Sequence, residues 1–226
     1  MNIAIIAAAG AGTRMASDRP KQFLQLAGKP VIFHTLQPFE ECDSINEVIV
    51  VLPAAESAGF LSLAGKFGLR KVSRVVPGGV TRADSVKRGL MSIRAATAAI
   101  VAVHDGVRPF VTVEEISKTV AAARLHGAAI LVAPVTDTIK QVGEQRVEKT
   151  LERAGLRRAL TPQCFQYELL RQAYQRADVN DPSLTDESGL VEQLGKPVMI
   201  VEGSPRNIKI TTAEDLMVAE ALLKTD

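Results

Sequence analysis

The sequence contains no tryptophan, and all aromatic residues together make up only 4% of it. The core must therefore be aliphatic, and no Trp-lined platform exists on which a base could stack. Two cysteines, Cys42 and Cys164, are too few and too far apart for a disulfide framework. No C-x-x-C pair or Cys/His cluster suggests structural zinc. Both read as reduced cytosolic thiols that pack in the interior. A clear excess of either charge is also missing. Lys and Arg number 27 against 25 Asp and Glu, a formal charge of +2. That balance argues against a nucleic-acid binder, although it leaves room for a local basic cluster around a small anion. No uncharged apolar run approaches the roughly 20 residues that span a bilayer. The N-terminus runs straight into an apolar segment, without the basic stretch and cleavage site of a signal peptide. The expectation is a soluble, cytoplasmic protein with no membrane and no nucleic-acid partner.

What is present is an ordinary globular composition, 46% apolar and 23% charged. Short apolar runs at residues 2–9, 47–52, 71–76, 99–103 and 128–135 read as strands. Several are apolar on both faces, as in a parallel sheet covered on both sides. Helical periods lie between them. Residues 82–96 align Val86, Leu90 and Ile93, and residues 113–126 align Ile116, Val120 and Ala123 ahead of Gly127. Pro30 can open a helix over residues 31–41. Strand–helix alternation predicts an α/β fold: a Rossmann-like, mostly parallel sheet with helices on both faces. After Pro134 the pattern turns polar, and a protruding β-arm over about residues 136–158 is expected. Helical period returns at residues 165–177 and 186–194. Residues 198–202 and 207–210 read as short strands, and residues 212–224 as a last helix capped by Thr212. With no repeat or long linker, residues 1–226 read as one domain carrying an inserted arm.

Three loops carry chemistry. The first strand leads into Gly10-Ala11-Gly12-Thr13-Arg14-Met15, an amide-rich turn that can cradle phosphates. Met15 stands where a dinucleotide fingerprint needs its third Gly, and no G-K-[ST] follows, so neither a Rossmann dinucleotide site nor a Walker loop is present. Arg14, Arg19 and Lys21 add positive charge, or are solvated loop charges. The fourth strand ends in Val103-His104-Asp105-Gly106-Val107-Arg108. Ligands of open α/β sheets bind beyond the carboxyl ends of the strands. Asp105 is suited to a divalent cation shared with substrate phosphates, or pairs with Arg108. His104 reads as a structural residue. The loop from Gly78 to Ser85 can read a base through backbone and hydroxyl groups, or is an ordinary turn. Asn207, Lys209 and Thr211 fall on one face of the expected late strand. Lys209 is either functional or a solvated edge lysine.

Taken together and in order, AAAGAGTRM, RPKQF, GGVTRADSV, VHDGVRP, APVTDTIK, LTPQCF, TDE and NIKIT resemble the 2-C-methyl-D-erythritol 4-phosphate cytidylyltransferase family of the nucleotidyltransferase superfamily. The resemblance runs from the first strand to the last helix. It implies transfer of CMP from CTP to methylerythritol phosphate, with release of pyrophosphate, in the non-mevalonate isoprenoid pathway. It implies that Ala8, Ala9, Gly10 and Gly12 hold the nucleotide, with Gly79 and Ser85 at the cytosine. It implies that Asp105 positions Mg²⁺ or another divalent cation, and that Arg14 and Lys21 stabilise the transition state. Arg153 and Lys209 position methylerythritol phosphate, and Arg108, Thr138, Thr161 and Thr185 match further substrate-side positions. It also implies a homodimer with crossed arms, the arm bearing Thr138 and Arg153 completing the partner's site. Three departures stand out: Ala7 for the family's usual Pro, Val80 for an acidic residue of some members, and Gly106-Val107 for the usual Ala-Ala.

The implied reaction joins two anions. A phosphate with a second pKa of about 6 is already ionised near neutrality and needs no general base. Positive charge must instead surround the transition state. Two rivals remain on the same fold, a ribitol-phosphate cytidylyltransferase and a non-catalytic nucleotide sensor.

Overall fold

The computed structural model describes residues 1–10, 19–94, 98–181 and 183–224. Its elements are β1 (Asn2–Ala7), β2 (Gln25–Leu26), β3 (Lys29–Pro30), α1 (Val31–Glu41), β4 (Glu47–Leu52), α2 (Ala54–Ser57) and α3 (Phe60–Lys66). These are followed by β5 (Val72–Pro77), α4 (Arg82–Met91), β6 (Ile100–Asp105), α5 (Val113–His126), β7 (Ala128–Pro134), β8 (Lys140–Gly143) and β9 (Arg146–Thr150). The chain ends with β10 (Arg157–Gln166), α6 (Tyr167–Arg176), α7 (Glu187–Gln193), β11 (Met199–Glu202) and α8 (Ala213–Leu223). The seven-stranded sheet has the order β11-β7-β10-β6-β1-β4-β5. Every neighbouring pair is parallel except those made by β10, which runs antiparallel to β6 and β7.

The aliphatic runs form strands because both faces of the sheet are covered. Ala4, Ile6, Val48 and Val50 point into a core with Ile32, Phe33, Leu36, Ile116 and Val120 of α1 and α5. Ile3, Ile5, Ile49, Val51, Val101 and Val103 alternate into the opposite core, with Val86 and Leu90 of α4 and Leu170 and Tyr174 of α6. Each Val, Leu or Ile so buried contributes about 1.5–3 kcal/mol of transfer free energy. Cys42 and Cys164 are free and buried, as expected of packing thiols. Among the described residues no helix is long and apolar enough to cross a membrane.

Helix starts follow the capping chemistry of the sequence. Thr112 and Glu115 form a capping box at α5, and Thr212 and Asp215 another at α8. Pro30 precedes α1, as expected. Helix α4 ends at Met91, short of the expected residue 96.

Two expectations are corrected. Residues 207–210 are not a strand. Their polar backbone groups go to loops: Ile210 N donates to Val107 O at 2.9 Å, and Asn207 O accepts from Arg108 Nη1 at 2.9 Å. Residues 157–166, not read as a strand, form β10. Pro162 and Gln163 blur its pattern, and the ladder to β7 shifts register between Ala159 and Gln163. Helix α6 therefore starts at Tyr167 rather than at Phe165. Between β7 and β10, β8 and β9 pair antiparallel as a solvent-exposed hairpin.

Candidate active site

The carboxyl ends of β1, β4 and β6 converge, and close backbone approach builds the site floor. Ala8 N donates to Val51 O at 2.9 Å, and Gly106 N to Ala7 O at 2.9 Å. A Cβ on Gly106 would stand 2.5 Å from Ala8 Cβ, and one on Gly78 would stand 2.1 Å from Ala9 Cβ. Only glycine permits these packings as they stand. Ala8 O accepts from Nε2 of buried Gln22 at 2.7 Å, tying the β1 turn to the segment carrying Lys21.

Above this floor lies a cavity of about 420 Å³, lined by Ala8, Ala9, Gly10, Lys21, Gly79, Ser85, Asp105 and Lys209, among others. A second, of about 200 Å³, is lined by Arg108, Thr161, Gln163, Thr185 and Asp186. Arg82, Asp105 and Lys209 line both. The two cavities thus meet at one carboxylate and two cations.

The loop from Gly78 to Ser85 is braced by its own hydrogen bonds. Gly79 N donates to Ser85 Oγ at 3.0 Å, and that hydroxyl donates to Thr81 O at 2.8 Å. Val80 N donates to Asp84 Oδ2 at 3.1 Å. Val80 itself is 92% exposed on the cavity rim. Ser85 is thus committed to shaping the loop, with one acceptor lone pair to spare.

Asp105, at the end of β6, is the electrostatic centre. Arg82 Nε donates to its Oδ1 at 2.9 Å, while Arg108 Nε and Lys209 Nζ meet its Oδ2 at 3.2 and 3.0 Å. Burial acts to raise its carboxyl pKa. The Arg82, Lys209 and Arg108 charges outweigh that and hold it far below the usual carboxylate range. Glu187, the first residue of α7, is 1% exposed and takes Arg82 Nη1 on both oxygens at 2.8 and 3.0 Å. Among the described residues, Lys21, Arg82, Arg108 and Lys209 thus face Asp105, Asp186 and Glu187, four cations against three carboxylates, leaving a net positive junction suited to an anion.

A buried relay supports Asp105 from behind. His104 Nε2 lies 3.1 Å from Arg108 O, and a carbonyl can only accept, so Nε2 carries the proton. Nδ1 then accepts from Thr161 Oγ1 at 2.8 Å, and that hydroxyl accepts from Asp105 N at 3.2 Å. Burial pushes the His104 pKa down to about 4, so the ring is neutral at pH 7.

Asp105 has about four lone-pair positions, of which three are taken. It can offer one more to a divalent cation, whose other ligands must be phosphates and water. Among the described residues no group of three His, Cys, Asp or Glu could cage a metal. The donor set therefore fits a substrate-held Mg²⁺ rather than a protein-held one.

The structure brings together Ala8, Ala9, Gly10, Lys21, Gly79, Ser85, Asp105 and Lys209, and beside them Arg108, Thr161 and Thr185. Gly12 and Arg14 lie outside the described residues. Thr138 and Arg153 are exposed and line neither cavity. Arg153 Nη1 donates to Thr136 O at 2.5 Å. Asn207, Lys209 and Thr211 do not share a strand face. Asn207 is fully buried, with Nδ2 donating to Thr161 O, while Lys209 turns to Asp105 and Thr211 to Asp215. Arg82, Glu187 and Gln163 do not stand out in the sequence. Their only signal there is an Arg opening the helix after Gly78-Gly79, and an acidic pair at the start of another helix.

A family model described as IspD, 2-C-methyl-D-erythritol 4-phosphate cytidylyltransferase, matches residues 2–225. The chain is 46% identical over 223 residues to the 2-C-methyl-D-erythritol 4-phosphate cytidylyltransferase of Pelotomaculum thermopropionicum, covering 98% of this chain and 93% of that one. It resembles the crystal structure of the 4-diphosphocytidyl-2C-methyl-D-erythritol synthase of Anaerococcus prevotii, with TM-score 0.86, 31% identity and coverage of 99% and 96%. It also resembles the crystal structure of the cytidylyltransferase from Thermus thermophilus, with TM-score 0.79, 34% identity and 98% of each chain covered. The chain belongs to the 2-C-methyl-D-erythritol 4-phosphate cytidylyltransferase family.

Proposed function

We propose that the protein transfers the cytidylyl group of CTP to 2-C-methyl-D-erythritol 4-phosphate. The products are 4-diphosphocytidyl-2-C-methyl-D-erythritol and pyrophosphate, in the non-mevalonate isoprenoid pathway. The observation that carries the reading is the junction of two cavities at Asp105, Arg82 and Lys209, in a chain of this family. The larger cavity takes the nucleotide and the smaller one the sugar phosphate.

A phosphate oxygen of the acceptor attacks the α-phosphorus of CTP; that P–O bond forms as the bond to pyrophosphate breaks. The acceptor phosphate is ionised at neutral pH, so no base is needed. That agrees with His104, whose ring nitrogens are both committed within the fold. The barrier is repulsion between anions. Lys21, Arg14 and Lys209 supply preorganised positive charge, and Arg108 adds a guanidinium suited to phosphate oxygens. Ala8, Ala9, Gly10 and Gly12 hold the nucleotide, with Gly79 and Ser85 against the cytosine. Thr161, Thr185, Thr138 and Arg153 serve the acceptor side. Asp105 would help to hold a divalent cation such as Mg²⁺, which would supply neutralisation of charge on the transferring group.

Residues 1–226 act as one nucleotidyltransferase unit in the cytoplasm. Two copies cross their arms, residues 136–158, so that Arg153 and Thr138 reach the partner's acceptor cavity. The support is that neither residue lines these cavities of its own chain, together with the exposed Val142 and Val147 on the hairpin. The test is pyrophosphate release from CTP on addition of methylerythritol phosphate. No release by the folded protein refutes the assignment.

A further inference from the structure

We infer that Glu187 is a positioning residue for the transfer, acting through Arg82 to fix the Asp105 carboxylate where the two cavities meet. The inference rests on the cytidylyl-transfer reading and extends it to a residue outside the reacting groups. Glu187 lines neither cavity, is 1% exposed, and so cannot meet substrate. A carboxylate so buried is stable only when paired and hydrogen-bonded. Its partners are Arg82 Nη1, on both oxygens, and the hydroxyl of Tyr174, which donates to Oε1 at 2.9 Å.

The position of Glu187 is itself over-determined. Its backbone N–H and that of Ser188 both donate to Gln163 Oε1 at 3.0 Å, and Gln163 Nε2 donates to Asp186 Oδ2 at 2.8 Å. Asp186 caps α7 through Gly189 N. Gln163 belongs to β10, whose residue Thr161 also holds Asp105 N. Sheet and helix therefore fix Glu187, Glu187 fixes one edge of the Arg82 guanidinium, and Nε on the adjacent edge fixes Asp105 Oδ1. Lys209 and Arg108 meet Oδ2. Arg82 is thus the contact seen on Oδ1. Without Glu187, Asp105 would be the one carboxylate among the described residues left to hold that arginine in its rotamer.

Two effects separate this role from mere stabilisation. Removing the Glu187 charge makes the junction more positive, so CTP binding should not weaken. Losing the orientation of Asp105 should slow turnover. Replacing supporting partners of this kind typically costs about 10–100-fold. The experiment combines Glu187→Gln, Arg82→Gln and the double variant. Each is measured for CTP binding by calorimetry, for kcat with CTP and methylerythritol phosphate, and for folding by circular dichroism.

The expected result for Glu187→Gln is a kcat lower by about 10–100-fold with CTP affinity equal or tighter. The double variant should be no slower than Arg82→Gln alone, since Glu187 acts through that arginine. Three results overturn the inference: kcat within about two-fold of the parent, CTP binding lost in parallel with kcat, or single losses that multiply in the double variant. The double variant strands neither buried charge. If Glu187→Gln fails to fold, Glu187→Asp, which keeps the charge but shortens the reach to Arg82, is measured in its place: lower kcat with undiminished CTP binding is expected, and parent-like kcat overturns the inference. Absence of pyrophosphate release by the parent refutes the cytidylyl-transfer reading instead.

Discussion

Lys209 Nζ sits 3.0 Å from Asp105 Oδ2, across the seam between the two cavities. The pair joins the end of β6 to an irregular segment more than a hundred residues later. That segment is pinned by Asn207 Nδ2 on Thr161 O, by Arg108 Nη1 on Asn207 O, and by Ile210 N on Val107 O. Under the proposed function, a lysine held this way would be preorganised for a phosphate lying between the cavities.

Lys209→Gln is accordingly expected to lower kcat/KM for methylerythritol phosphate by about 10²-fold, the scale of one preorganised charge. Its side chain is 35% exposed, so folding stability should change by less than about 1 kcal/mol. Steady-state kinetics alongside urea unfolding tests both halves. A large stability loss with unchanged kinetics contradicts the role.

Lys21→Ala is expected to lower kcat by about 10²-fold or more. Lys21 lines the larger cavity beside Gln22, which anchors its segment to Ala8. Near-normal turnover by a folded variant would exclude it from transition-state stabilisation.

Arg153→Ala is expected to raise KM for methylerythritol phosphate while leaving CTP binding intact. Because Arg153 lines neither cavity of its own chain, the loss should be complemented in trans. Mixing the Arg153→Ala chain with a Lys21→Ala chain should restore part of the activity, by forming one site with both residues. No recovery in verified mixed dimers contradicts the crossed-arm arrangement.

Protonation of buried His104 should destabilise the fold in acid. Its folded pKa lies near 4, below the ordinary 6.5, so the unfolded chain binds the extra proton between those values. The stability it contributes is complete above pH 6.5 and is lost as pH falls towards 4. The full loss is on the order of 3 kcal/mol. Nitrogen NMR of the ring should show a neutral Nε2–H tautomer at pH 6. A titration midpoint near 6.5 would contradict the relay through Thr161.

The layered fold was legible because its signals are local: runs such as Ile3-Ala4-Ile5-Ile6 bury both faces, and Thr112 and Thr212 announce their helices. Lys21, Asp105 and Lys209 were legible as members of ordered motifs. Strand β10 was not, because Pro162 and Gln163 interrupt its pattern and its partners β6 and β7 lie far away in sequence. Glu187 was equally hidden. An acidic residue opening a helix usually answers the helix dipole, and only the fold brings it to Arg82. Residues 207–210 misled for the converse reason: alternation suggested a strand, but their hydrogen bonds go to loops.

The acceptor defines the reaction. Pyrophosphate release from CTP, with and without Mg²⁺, should be compared for methylerythritol phosphate and ribitol 5-phosphate. The expected result is rapid, Mg²⁺-dependent release with methylerythritol phosphate and far slower release with ribitol 5-phosphate. Preference for ribitol 5-phosphate, or no release with either, would contradict it.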